Sequence, residues 1–182
     1  MQKFTKKFIV WAIVGLLILF IPLAMQFTNE VQWNEAIAYT IMLLAVGGIY
    51  ELWQWLKKRN ITYRFAFIVG LMTALFIGWV NGAVGIIGSE DNPANLLYGA
   101  VFIIGLIGLI ISRFKPLGMA RTLFVAAFVQ LLIPAFALFI WPAQTSWGEA
   151  GVIGVFIFNS IFAILFIVSA MLFRYAGKIE NR

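Results

Sequence analysis

Apolar residues run through this chain in long stretches, and the polar ones gather in short clusters between them. A helix rises 1.5 Å per residue and the hydrocarbon core of a bilayer is roughly 30 Å thick, so a run of about 20 mainly apolar residues reads as a spanning helix. Six runs are long enough: residues 8–27, 36–56, 65–88, 94–112, 117–141 and 150–173. The connections are short, which makes sequential helices antiparallel neighbours. The pattern predicts an all-α polytopic membrane protein, a single six-helix transmembrane domain over residues 1–182 with nothing left over for a soluble one.

Composition points the same way. The chain is 63% hydrophobic and 11% charged, whereas soluble domains carry about a quarter charged residues. A water-soluble fold of this size hides only about 70% of the surface its unfolded chain exposes, so the apolar excess must face lipid or other protein. The sequence has no histidine and no cysteine. Thiolate zinc sites, iron–sulfur clusters, the usual haem ligands, a histidine base and a cysteine nucleophile are therefore excluded.

Charge orients the spans. Basic residues are retained on the cytoplasmic side of membranes, and all thirteen fall on one side of this division: Lys3, Lys6 and Lys7; Lys57, Lys58, Arg59 and Arg64; Arg113, Lys115 and Arg121; Arg174, Lys178 and Arg182. The three opposite loops hold five of the seven acids, Glu30, Glu35, Glu90, Asp91 and Glu149, and no basic residue. Both termini are expected to be cytoplasmic. The net charge of +6 then reflects topology and contact with anionic headgroups, and nucleic acid is not expected as a partner. The apolar run after Lys7 extends to Met25, longer than the 7–15 residues of a signal core, so it reads as a retained span. Trp33, Tyr98, Trp141 and Trp147 fall at the outer interface, and Trp53, Trp55, Tyr63 and Tyr175 at the inner one, where such rings anchor helices.

Three places could carry chemistry. The first is the outer connection, residues 81–95. Asn92 and Pro93 read as the cap and first residue of a helix, and Gly78 and Gly82 form a GxxxG pair suited to close helix contact. A capped turn is one reading of this segment. The other is a set of oxygen ligands from Glu90, Asp91, Asn92, Asn95 and Asn81 for a hard cation, since carboxylate and amide oxygens suit Ca²⁺, Mg²⁺ or Na⁺. A variant unwinds the helix at Asn81 into a re-entrant segment.

The second place is Glu51, the one acidic residue placed clearly inside a predicted span. It lies six residues before Lys57, roughly 9 Å from that end. It either reaches the interface and pairs with Lys58 or a neighbouring base, or acts as a protonatable gate. The third is a pair of deep amides. Gln130 is 11 residues before Trp141 and Asn159 is 10 after Glu149, so both sit roughly 15 Å below the outer boundary. They can hydrogen-bond across helices as a clamp or line a midplane site. Pro134 frees the Gln130 carbonyl, which Ser160 is placed to satisfy.

The segment from Trp79 through Asn81, Gly82, Gly85, Gly88, Glu90, Asp91, Asn92, Pro93 and Asn95 to Tyr98 resembles a stretch of small multi-span bacterial membrane proteins that have no assigned activity. It covers about a tenth of the chain. The resemblance implies a bacterial inner membrane and supplies no reaction.

Two functions fit these residues. One is a non-enzymatic structural, accessory or sensory subunit that binds lipid, another membrane protein or a second copy of itself through small-residue faces. The alternative is a small transporter or channel for a cation or small solute, entered at Glu90 and Asp91 and using Glu51, Gln130 and Asn159 along its route. Catalysis is not expected: metal-dependent lipid chemistry needs paired acids such as DxxxD or DDxxD, and the sequence has neither. No cofactor is expected.

Overall fold

The computed structural model describes residues 8–18, 33–140 and 147–180, and all regular structure among them is helical. The helices are α1 (Phe8–Ile18), α2 (Trp33–Leu56), α3 (Ile61–Ala83), α4 (Gly99–Ser112), α5 (Pro116–Ile140) and α6 (Gly151–Glu180), with a 3₁₀ segment, η1 (Pro93–Tyr98), leading into α4. Four of these stretches are long and apolar enough to cross a membrane: α3, η1 with α4, α5 and α6. Residues 19–27 of the expected first span lie outside the described residues, as do Glu30, Trp141 and the basic residues Lys3, Lys6, Lys7 and Arg182.

The chain divides into two compact units, Met1–Arg59 and Asn60–Arg182. Within the first, the Trp11 indole closes on α2: a Cβ built on Gly47 would lie 3.0 Å from its ring, a tight approach that the glycine relieves.

In the second unit, α6 is central. It packs along α5 and α3, and α5 in turn packs against α4. The buried positions of α6 recur at helical spacing, Val155, Asn159, Phe162, Phe166, Ser169, Phe173 and Ala176 among them, as one stripe of a 3.6-residue helix requires. Close approach relies on small residues. A Cβ on Gly70 of α3 would lie 2.8 Å from Ser169 Oγ, which donates to the Ala66 carbonyl at 2.6 Å. A Cβ on Gly108 of α4 would overlap the Thr122 side chain of α5.

Side-chain caps set boundaries that hydropathy does not. Asn60 accepts from the Tyr63 amide at 2.8 Å and donates to the Ala176 carbonyl at 3.3 Å, so α3 starts four residues before the expected Phe65 and is tied to α6 from its first turn. It ends at Ala83, not Gly88, because Gly85 turns left-handed at φ +73°. In the fourth expected span, residues 93–98 are 3₁₀ and only residues 99–112 are α-helical. Helix α6 continues seven residues past the expected Phe173. Tyr63, expected to anchor at the interface, is fully buried: its ring meets Phe173 edge-on at 4.9 Å and its hydroxyl donates to the Phe114 carbonyl at 2.8 Å.

Candidate functional site

The 3₁₀ segment organises the polar interior. Residues three apart eclipse one another in a 3₁₀ helix, so Asn95 and Tyr98 share one side of η1, and both are buried together with the cap residue Asn92. Pro93 opens η1, where its missing amide costs nothing, and the Asn92 side chain accepts from the Ala94 amide at 3.0 Å. The cap expected from the sequence forms, on a 3₁₀ segment in place of an α-helix.

Asn95 then gathers the connection that follows α3. Its Oδ1 accepts from the Ile86 and Ile87 amides at 3.2 and 2.9 Å. Its Nδ2 donates to the Ile87 and Ser89 carbonyls at 3.2 and 2.7 Å. Asn81 Nδ2 donates to the Asn95 carbonyl at 3.2 Å, joining the end of α3 to η1. Gly85 makes this clasp possible, since a Cβ there would overlap the Ser89 carbonyl and approach Asn95 Nδ2 to 2.7 Å. Glu90 and Asp91 are exposed. The oxygens expected to converge on a cation are thus divided: the amide oxygens of Asn92 and Asn95 serve backbone donors, and the two carboxylates face outward. Asn81 Oδ1 is buried and has no hydrogen-bond partner.

One turn further, Tyr98 reaches the deep amides. Its hydroxyl donates to Asn159 Oδ1 at 3.0 Å, and Gln130 Nε2 donates to the same oxygen at 2.9 Å. Asn159 Nδ2 donates to the Val155 carbonyl at 2.8 Å. All three side chains are 0% exposed. One oxygen of α6 therefore fastens η1 and α5 to it. The matched depths of Gln130 and Asn159 foretold their pairing; the third member, Tyr98, was expected at the interface. Its signal in the sequence is the three-residue spacing of Asn92, Asn95 and Tyr98. Gln130 Oε1 is left without a partner, and Ser160 Oγ donates to the Phe156 carbonyl of its own helix at 2.8 Å.

Comparisons with protein-family models, with curated proteins and with solved structures find no match for this chain.

Glu51 belongs to the other unit. It is half-buried on α2, and its Oε1 accepts from the Trp11 indole at 3.3 Å. Trp79 is 75% exposed. A groove along α3 and α4, lined by Phe67, Leu71, Leu106, Thr122, Phe166 and neighbouring residues, includes none of Glu51, Gln130 and Asn159. Among the described residues, no three His, Cys, Asp or Glu side chains group closely enough to hold a metal.

Proposed function

We propose that this protein is a multi-pass bacterial inner-membrane protein of six spans with both termini cytoplasmic, serving as a non-enzymatic accessory subunit that docks against another membrane protein or a second copy of itself. The observation that carries this reading is the way its deep polar groups are spent. Tyr98, Gln130 and Asn159 bind one another, and Asn95 binds backbone. A carrier keeps such groups facing a route through the membrane; here they fasten helices together. What faces outward is apolar, with Trp79, Phe139, Ile153 and Ile111 each at least 75% exposed. The one-sided distribution of lysine and arginine supports the orientation, and the resemblance of residues 79–98 supports the bacterial inner membrane.

Two measurements test the reading. A photo-crosslinking residue at position 79 in native membranes is expected to give one discrete adduct; a featureless smear rejects a defined partner. Reconstituted into liposomes, the wild-type chain is expected to carry no saturable Na⁺, K⁺, Mg²⁺ or Ca²⁺ flux. Saturable flux that falls in Glu51→Gln or Glu90→Gln instead establishes the transport reading.

A further inference from the structure

The groove along α3 and α4 is built like the seat of a lipid. Helices α5 and α6 form its floor, and it has a volume of about 240 Å³. Thr122 is the one hydroxyl-bearing residue among those that line it. It occupies the half of the unit that carries the basic helix ends: Phe67 is three residues from Arg64, Leu109 four from Arg113, and Met119 four from Lys115.

Contacts lead from the groove to the backbone between two of those basic residues. Phe173 lines it, the Tyr63 ring packs against Phe173 at 4.9 Å, and the Tyr63 hydroxyl holds the Phe114 carbonyl. Phe114 is flanked by Arg113 and Lys115, both exposed. An apolar slot that runs toward the helix ends bearing Arg113 and Lys115, each four residues from a lining residue, is complementary to an amphiphile with one apolar tail and a negative head. We propose that the groove holds an acyl chain of an anionic phospholipid, with Arg113 and Lys115 against its phosphate. The inference rests on the membrane reading given above and adds the identity of one ligand.

Gly105 allows a direct test. It lines the groove, and a Cβ built on it meets nothing within 4 Å, so position 105 admits a side chain and Gly105→Phe is the variant that occupies the slot. The full chain is released from membranes of equal phosphatidylglycerol and phosphatidylcholine with identical acyl chains, and the lipids that remain bound are counted by native mass spectrometry. With two cations near the headgroup, phosphatidylglycerol is expected to exceed phosphatidylcholine on the order of tenfold. Gly105→Phe loses the bound lipid. In the pair Arg113→Asn and Lys115→Gln, where asparagine keeps the left-handed backbone of position 113, lipid stays bound and the preference disappears.

Equal retention of the two lipids by the wild-type chain, or wild-type retention by Gly105→Phe, overturns the proposal. A second measurement leaves the groove unfilled. The chain has no cysteine, so bimane on Leu106→Cys reports from a single position on the groove's lining. Brominated phosphatidylglycerol is expected to quench it more strongly than brominated phosphatidylcholine, and equal quenching also overturns the assignment. Should alkaline carbonate release the chain from native membranes, it is the membrane reading that fails; a chain that stays embedded yet binds both lipids equally refutes the groove assignment alone.

Discussion

Asn159 Oδ1 accepts two hydrogen bonds in a place with no water to replace it. Asn159→Leu therefore strands the Tyr98 hydroxyl and the Gln130 amide together, and a buried donor without a partner costs about 1–3 kcal/mol. Equilibrium unfolding in detergent is expected to show that loss, with a smaller one for Tyr98→Phe. Combining Gln130→Leu with Asn159→Leu is expected to cost less than the sum of the two, because the second change removes a donor already stranded. At Gly85 the left-handed backbone alone makes alanine unfavourable by about 1–2 kcal/mol, and the overlap with Ser89 adds to it, so Gly85→Ala is expected to expose residues 84–91 to protease at temperatures where the wild-type chain resists. The Gln130–Asn159 pair was legible because depth in a helix follows from counting residues. Tyr98 was not, since a tyrosine near a helix end has two homes, the interface and the interior, and tertiary contacts choose between them. Oxygen type alone left Asn92 and Asn95 open between a cap and a cation site, and in the structure both oxygens accept backbone amides. Those amides are freed by the end of α3 and the start of η1 and need acceptors close by.

At the scale of the helices, hydropathy located the described elements and misplaced their ends. It registers where apolar residues stop; a helix stops where its backbone hydrogen bonds do. Asn60 starts α3 in a polar stretch, and Gly85 closes it within an apolar one. Arg174 and Lys178 end the hydrophobic run of α6 but not the helix, since both are good helix formers and Ala176 and Gly177 between them are buried. Asn60→Ala is expected to lower stability by about 1 kcal/mol, the usual worth of an N-cap, measured by thermal unfolding. The contact of α3 with α6 gives a sharper test. Gly70→Ala forces a methyl against Ser169 Oγ, and overpacking of this kind costs about 1–3 kcal/mol. Adding Ser169→Ala is expected to restore much of it, because the hydroxyl donates only to a helix carbonyl. If Ser169→Ala gives no recovery, the two helices do not meet at these residues.

For the whole molecule, the absence of cysteine makes each introduced thiol a clean reporter of sidedness. Cysteine at Glu90 or Asp91 is expected to react with an impermeant maleimide from outside intact cells, and cysteine at Lys115 or Lys178 only after the membrane is opened. Labelling of all four from one side rejects the orientation proposed here. Helix α6 has a further consequence. Its 30 residues measure roughly 45 Å, about half as long again as the hydrocarbon layer, and its last turns hold the starts of two other helices, Asn60 through the Ala176 carbonyl and Pro116 through Gly177. That end is strapped together by protein. In a thinner or thicker bilayer the mismatch is expected to be taken up at the opposite end, where α3 gives way to the glycine-bearing turn and η1, so that the two leaflets share the strain unequally.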